Sequence, residues 1–435
     1  MIEHTREEIN QRRDEGADMT AWAEEHQRLV SDGADAETWR AFYQRLYAEA
    51  EPAGNATEPS TLEAIRALRP EGPRRLPVDS SALADKILGA WQGRIAGCIL
   101  GAVVEGKPRD YIDRYLAAAG RDDLTGFFPR LASLPDWADE AWLRSERIER
   151  SVAGGITHAV RDDDIDYTIL GLHYLEKYGP RFTSDNVADE WLLLLPYAQI
   201  YTAERIAYKN LVNDLRPPHS ATHENPYREW IGAQIRADAF GYVNAGRPEQ
   251  AADMAFRDAC ISHTRNGIYG EMWSAAMIAA AFSVAEPREA IEIGLSEIPA
   301  GCRLADAGRK LLAWSEEYPD WKACWERAMR EYGHLNWVHT INNALWVMVG
   351  LLYGRKDFGR TIAIAVRCGQ DTDCNGATAG SVLGAMLGAG AIPQQWTAPF
   401  NNTVRSFVIG FDNSLITDLA SRTLAQYKRV LDAGD

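Results

Sequence analysis

An all-α fold is the architecture this sequence predicts, and three observations predict it. Apolar residues from Ser81 onward recur at helical spacing, alternating runs of strand type are scarce, and breakers fall between the helical segments. The segments Ala84–Val104, Tyr167–Tyr178, Ala188–Tyr201, Ala251–Cys260, Tyr269–Val284, Asn342–Tyr353 and Asn375–Leu387 all fit a helix template. Pro180, Pro217, Pro218, Pro226, Pro248, Pro287, Pro299 and Pro393 punctuate them. No fixed-period repeat is visible, so the expectation is a globular helical bundle rather than a solenoid.

Residues 1 to about 50 are charge-rich, with Trp22, Leu29, Trp39, Phe42 and Leu46 spaced for short amphipathic helices. Residues 51–80 contain Pro52, Pro59, Pro70, Pro73 and Pro77 with Gly54 and Gly72, the composition of a linker around one short helix, Leu62–Leu68. The expected division is therefore a charged helical extension with its linker, 1–80, and one all-α domain, 81–435.

At 435 residues the chain can bury a large core, and 46% hydrophobic with 25% charged residues is ordinary for a soluble globular protein. A net charge of −16 argues against a nucleic-acid polymer as partner, which would need a basic face. The most apolar stretch, Ile87 to Val104, carries Gln92, Arg94 and several glycines, so no membrane span is expected. The opening MIEHTREEIN does not read as a signal peptide. Six cysteines without a Cys-x-x-Cys pair fit a reducing compartment, so the expected location is cytoplasmic. The sequence leaves the oligomeric state open.

Glycines at four-residue spacing mark two of the helices: Gly93, Gly97 and Gly101 on one, Gly376, Gly380, Gly384 and Gly388 on the other. Each costs a helix about 1 kcal/mol relative to alanine, and the usual reason is close backbone approach to a neighbour. These two helices are expected to cross tightly in the core.

Two acidic clusters open helical segments far apart in the chain: Asp162, Asp163, Asp164 and Asp166 in RDDDIDYTIL, and Asp371 and Asp373 in GQDTDCNGATAG. A single carboxylate suffices to cap a helix start, whereas consecutive aspartates repel one another unless a cation relieves them. If the two starts meet, hard oxygen donors converge on one point. Glu105 ends the first glycine-rich helix in a Glu-Gly-Lys-Pro turn and is either a solvated carboxylate or a catalytic one. His263 precedes a loop with Gly267 and Gly270, and the run Asn336, Trp337, His339, Thr340, Asn342, Asn343 either caps the next helix or lines a pocket. Arg228, Arg236 and Asp238 read as ion pairs inside the bundle, and His219 with His223 lies in a Pro-rich loop unsuited to a helical metal site.

In chain order, GRIAGCILGAVVEG, DDDIDYT, SHTRNGIYGEMWSAAM and GQDTDCNGATAGSVLGA resemble the ADP-ribosylglycohydrolase family, over roughly Ala84 to Pro393. The resemblance implies a compact orthogonal multi-helix all-α bundle with two Mg2+ ions in a central cleft. It implies removal of ADP-ribose from proteins, or hydrolysis of related ribosyl N- or O-glycosidic bonds. Position by position, the family's metal motifs fall on Asp162, Asp163 and Asp164, and on Asp371, Asp373 and, more weakly, Cys374. Its glutamate falls on Glu105. The catalytic set so implied is Glu105, Asp163 and Asp371; the expected substrate contacts are His263, Gly267, Tyr269, Gly270 and Asn342. Asp162 and Cys374 stand where threonines are usual, Cys98 where an aspartate is common, and Tyr167 where a small or thioether residue is usual, departures that resemble a bacterial branch of the family.

The function expected is Mg2+-dependent cleavage of a ribosyl glycosidic bond through an oxocarbenium-like transition state, on an ADP-ribosylated protein or a ribosylated small molecule. The alternatives are a small-molecule nucleoside or ribosyl-metabolite N-glycosidase, or a non-catalytic ADP-ribose-binding protein that keeps the fold.

Overall fold

The computed structural model describes residues 1–49 and 56–434, so Pro52 and Gly54 of the expected linker lie outside the described residues. Three short helices open the chain: α1 (Ile2–Asp14), α2 (Thr20–Ser31) and α3 (Ala36–Ala48). They share a small core of Ile9, Met19, Trp39, Phe42 and Leu46, separate from that of the main body. After α4 (Leu62–Leu68) come α5 (Leu83–Ala102), α6 (Arg109–Ala118), the single turns α7 (Glu140–Leu143) and α8 (Glu146–Glu149), then α9 (Asp163–Tyr178), α10 (Ser184–Leu194), α11 (Thr202–Val212) and α12 (His219–Thr222). The remainder runs α13 (Asp238–Val243), α14 (Pro248–Ala259), α15 (Asn266–Ala281), α16 (Pro287–Leu295), α17 (Arg303–Glu317), α18 (Trp321–Tyr332), α19 (Thr340–Tyr353), α20 (Phe358–Arg367), α21 (Thr372–Leu387) and α22 (Ile416–Asp432). Among the described residues the sole sheet is a ribbon of β1 (Thr403–Val404) and β2 (Ser414–Leu415), paired antiparallel.

The expected helix Ala188–Tyr201 stops at Leu194. Pro196 cannot continue it, and a 3-10 turn over Tyr197–Gln199 follows. The other expected helices are present with boundaries shifted by a few residues.

Helices apolar on every side must be buried on every side. Every residue of α15 is buried, as are Thr372–Ala385 of α21 and nearly all of the C-terminal half of α5. Around α15 stand α13, α14, α16 and α19, and α20 joins α19 to α21.

The glycine stripes set the closest contact in the molecule. A Cβ built on Gly93 would lie 2.1 Å from the Gly380 carbonyl oxygen, on Gly97 1.9 Å from that of Gly376, and on Gly101 2.1 Å from that of Thr372. The opposing stripe is reciprocal: Gly376, Gly380 and Gly384 would meet the carbonyls of Gly97, Gly93 and Gly89 at 2.1–2.4 Å. Gly388 is different; it has φ +82° and faces Asp85. Thr372 adds a hydrogen bond from its hydroxyl to the Gly101 carbonyl, 2.7 Å. The start of α21 is thereby locked against the end of α5.

Buried charge ties the N-terminal segment to the body. Arg228 pairs with Glu8 and Glu15, both at 2.8 Å. Arg303 reaches Glu58 at 2.8 Å and Glu229 at 2.6 Å, and Gln11 donates to Glu229 at 2.7 Å.

Candidate metal centre

Three turns of backbone bring the acidic residues together. Gly106 has φ +70° and lets the chain reverse after Glu105; its N–H donates to the Gln370 carbonyl at 2.9 Å, and Gln370 N–H returns to Lys107 at 3.0 Å. That short antiparallel bridge seats Glu105 beside the start of α21. Asp371 holds the N-cap position there but caps nothing with its side chain, which leaves its carboxylate for other partners. Asp162 is the N-cap of α9, and its Oδ1 accepts from the Asp164 N–H at 3.1 Å.

Asp164 is pinned from behind. The fully buried Arg94 of α5 donates to its carbonyl at 2.6 and 3.0 Å and lies 3.2 Å from its Oδ1, while also binding Asp238 at 2.8 Å. Asp166, the fourth acid of the cluster, faces elsewhere: it takes Arg161 at 2.7 Å, Ser406 Oγ at 2.7 Å and the Phe407 N–H at 3.1 Å, and so anchors the C-terminal loop.

Three groups of donor atoms result, each within 4.8 Å of one another: Glu105, Asp371 and Asp373; Asp164, Asp373 and Cys374; and Cys98, Asp162 and Asp164. The first is all oxygen and suits a hard cation. Asp163 lies at the same cavity wall without entering a group. Arg147 from α8 reaches into the cluster, with Nη1 2.6 Å from Glu105 Oε2 and Nη2 3.0 Å from Asp373 Oδ2 and bonded to Asp162.

The electrostatics show how much positive charge the cluster demands. Six carboxylates (Glu105, Asp162, Asp163, Asp164, Asp371, Asp373) face three guanidiniums, those of Arg94, Arg147 and Arg161. Burial, then the neighbouring Asp162 charge, pushes Asp163 up to about 8. Burial, followed by Glu105 among the neighbouring charges, pushes Asp371 up to about 7. Burial raises Asp164 and Asp373 well above the usual carboxylate range as well. Asp162 is the exception: burial pushes it up, yet Arg147 and Arg161 outweigh burial and hold it below the usual range. A divalent cation is the natural relief of such a cluster, and the donor set fits one.

Above the cluster opens a cavity of about 750 Å³. Trp142, Trp230, Trp337, Tyr201 and Phe407 give it flat aromatic walls, and Arg150, Arg161 and Arg405 give it positive edges. Most of these residues come from irregular segments, where no hydrophobic period marks them. Trp337 and Val338 line the cavity from the polar run that precedes α19, while His339 caps that helix and Thr340 binds the Trp230 carbonyl, 2.8 Å. That run therefore does both things its composition allowed.

Glu105, Asp162, Asp163, Asp164, Asp371, Asp373 and Cys374 all line the cavity. His263, Gly267, Tyr269, Gly270 and Asn342 do not. Gly267 packs on His263 and the Arg228 carbonyl, Gly270 packs on Thr340, and Tyr269 donates its hydroxyl to the Pro59 carbonyl. Asn342 donates to the Asn336 carbonyl at 2.9 Å. Tyr269 directly, and Gly267 through Arg228, lie against the N-terminal segment. Of the aromatic walls only Trp337 carries a signal in the sequence; Trp142 and Arg147 lie on single-turn helices, and Tyr201, Trp230 and Phe407 lie in irregular segments without a period.

The ADP-ribosylglycohydrolase family model matches residues 79–431, four-fifths of the chain. The chain belongs to the ADP-ribosylglycohydrolase family. The family supports a glycosidic-hydrolase type of function. Among solved structures, an ADP-ribosylglycohydrolase-related protein complex shares the fold at TM-score 0.51 and 20% identity, covering 80% of this chain and 99% of the other. No curated protein matches the chain. Within this ADP-ribosylglycohydrolase fold, no described helix is long and apolar enough to cross a membrane.

Proposed function

We propose that this chain is a metal-dependent hydrolase of ribosyl N- or O-glycosidic bonds, acting in the cytoplasm on an ADP-ribosylated protein or a ribosylated small molecule. The observation that carries the reading is the convergence of Glu105, Asp371 and Asp373 with Asp162 and Asp164 beneath one aromatic-walled cavity. A volume of about 750 Å³ falls in the range of small-molecule sites.

The same carboxylates would hold a divalent pair, which supplies Lewis-acid fixation of the ribose hydroxyls. Glu105 keeps 26% of its side chain in contact with solvent, beside the buried Asp371 and Asp373, and is placed to move a proton to or from water or the leaving group. Asp163 and Asp371 border the same space. Trp142, Trp230, Trp337 and Phe407 offer planar faces to a base, and Arg150 and Arg405 offer counter-charge to an anionic substituent at the edge. Residues 1–80 act as a scaffold that backs the Trp230–Val338 wall through Arg228 and Glu229.

The test replaces Asp371 and Asp373 together by alanine. Loss of divalent-cation thermal stabilisation and of ribosyl hydrolysis supports the reading; retention of both sinks it. Parallel assays on ADP-ribosylated peptides and on free nucleosides decide between the protein and small-molecule substrates. Binding of ADP-ribose without turnover of either class would identify the binding-only alternative.

A further inference from the structure

One exposed face of α11 begins at the rim of the cavity and runs away from it. Tyr201, the N-cap of α11, both lines the cavity and is exposed. Arg205, Tyr208, Lys209 and Val212 follow it at helical spacings that fall within about 100° of arc, so the five share one side of the helix. The surface they form is continuous. The Arg205 guanidinium lies 5.6 Å from the Tyr201 ring centroid and 5.7 Å from that of the exposed Tyr197, and Tyr197 meets Tyr208 at 5.6 Å between ring centroids.

The charge of this strip is opposite to that of the chain, which carries −16 overall. Arg205 donates to backbone carbonyls, that of Ile200 at 2.6 Å and that of Ala198 at 3.5 Å. Neither Arg205 nor Lys209 enters an ion pair among the described residues. Arg216, just beyond the helix, does so twice, with Asp185 at 2.9 Å and Asp189 at 2.8 Å. Val212 is 63% exposed, more than any other large apolar side chain among the described residues. A single exposed apolar residue is ordinary, but this one ends a strip of tyrosines and unpaired cations that starts at the cavity.

Length decides what the strip can serve. From Tyr201 to Val212 it extends about 16 Å, the span of about five residues of extended chain. A ribosylated small molecule fits inside a cavity of about 750 Å³ and ends short of Val212. A polypeptide carrying a ribosyl group has to leave by the rim and lie on the surface outside. We propose that the α11 face is the docking strip for that polypeptide, and that it selects acidic side chains at Arg205 and Lys209 and an apolar one at Val212. The inference rests on the ribosyl-hydrolase reading above and, within it, favours the protein substrate over the small molecule.

The experiment measures binding to the full-length protein by calorimetry. The probes are free ADP-ribose and two peptides that carry ADP-ribose through a non-hydrolysable triazole link, one with Glu and Leu on its flanks, the other with Lys in place of Glu. The Glu peptide should bind about tenfold tighter than the Lys peptide, the worth of two exposed ion pairs, and the gap should narrow as salt is raised. Lys209→Glu, on an exposed side chain outside the cavity, should weaken the Glu peptide about fivefold and leave free ADP-ribose unaffected. Val212→Ser should weaken both peptides and spare free ADP-ribose. Arg205→Glu combined with Lys209→Glu should reverse the preference between the peptides. Equal affinity for the two peptides, or peptides that bind no tighter than ADP-ribose itself, overturns the docking strip and leaves the hydrolase reading standing. Binding of the wild-type protein to phosphatidylglycerol vesicles that Lys209→Glu abolishes, with no peptide preference, reassigns the face to a membrane surface. Failure of every ADP-ribose probe to bind overturns the ADP-ribosylated-protein reading and the strip together.

Discussion

Replacing Gly101 by alanine places one methyl group where α5 and α21 touch through their backbones. The new Cβ would meet the Thr372 carbonyl oxygen at 2.1 Å, its carbon at 2.3 Å and the Asp373 nitrogen at 2.4 Å. Real Cβ contacts do not fall below 3.0 Å, and all three obstacles are backbone, so the helices must part by about 1 Å. Alanine gains about 1 kcal/mol in helix propensity, and overpacking a core costs about 1–3 kcal/mol, more where backbone must move. The net expectation is a loss of about 2 kcal/mol in denaturant unfolding. The separation falls at Asp371 and Asp373, and a ligand set of this kind tolerates displacements of only about 0.5 Å. Cation affinity by calorimetry should therefore fall by at least about tenfold, the order at which even outer-shell changes are felt. Gly89→Ala is the control for location: its Cβ would lie 2.5 Å from the Gly384 carbonyl oxygen, about 18 Å along the helix from Gly101, so it should cost stability and spare cation binding. Gly126→Ala, with nothing within 4 Å, should change neither. An alanine at Gly101 as stable as the parent, or equal loss of cation affinity at Gly89, would refute the reasoning.

Arg147→Ala should strengthen divalent-cation binding by about tenfold or more, because displacing each charge-assisted hydrogen bond costs a cation about 1.5–3 kcal/mol; unchanged affinity in calorimetry would count against it. The same variant should lower the melting temperature of the metal-free protein, since the cluster loses a guanidinium. Arg236→Met should destabilise by about 3–5 kcal/mol in urea unfolding, because Glu204, Asp258 and Glu271 stay buried around a lost cation; a change under about 1 kcal/mol would refute it. Burial holds the His339 imidazole down at about 4 against 6.5 when free, so it folds neutral and resists protonation. The unfolded chain then binds the extra proton, and the stability from this group is complete above pH 6.5 and declines as pH falls towards 4, by about 3 kcal/mol in all. His339→Asn, which can still cap α19, should flatten that slope; an unaltered slope would exclude His339 as its source.

The fold was legible where the sequence is periodic. Ala84–Val104, Asn342–Tyr353 and Asn375–Leu387 read as helices because their apolar residues recur without a breaker, and the paired glycine stripes announced a crossing before any coordinate did. Apolar residues on both sides of Pro196 extend the helical pattern to Tyr201, whereas the proline lets α10 run only to Leu194. In the candidate site, the convergence of the acidic residues was legible and most of the cavity wall was not. Consecutive aspartates at a helix start are too repulsive to be mere caps, and so they stand out. The walls of the cavity come from single-turn helices and loops at Trp142, Arg147, Trp230 and Phe407, where side chains are placed by tertiary contact alone. The loop of His263, Gly267 and Gly270 reads as a substrate contact only through the family resemblance, and it does not line the cavity. Its glycines instead allow close packing against Arg228 and Thr340, beneath the N-terminal segment.

The stripes and the centre depend on one another in a way neither shows alone. Carboxylates repel, and helix starts that carry them would separate unless something held the backbones together. Here the holding force is dispersion and backbone fit along α5 and α21, over three turns of reciprocal glycine contact, and it acts at the point where repulsion is greatest. The hydrogen bond from Thr372 to Gly101 and the Gly106–Gln370 bridge close the same corner. The cluster can therefore stay assembled in the absence of a cation, with Arg147 supplying part of the counter-charge. A preassembled but under-neutralised site binds a cation without first paying to order its ligands, which is the condition for tight binding by a few buried donors. Weakening the stripe should thus lower cation affinity even though no stripe residue touches the cation.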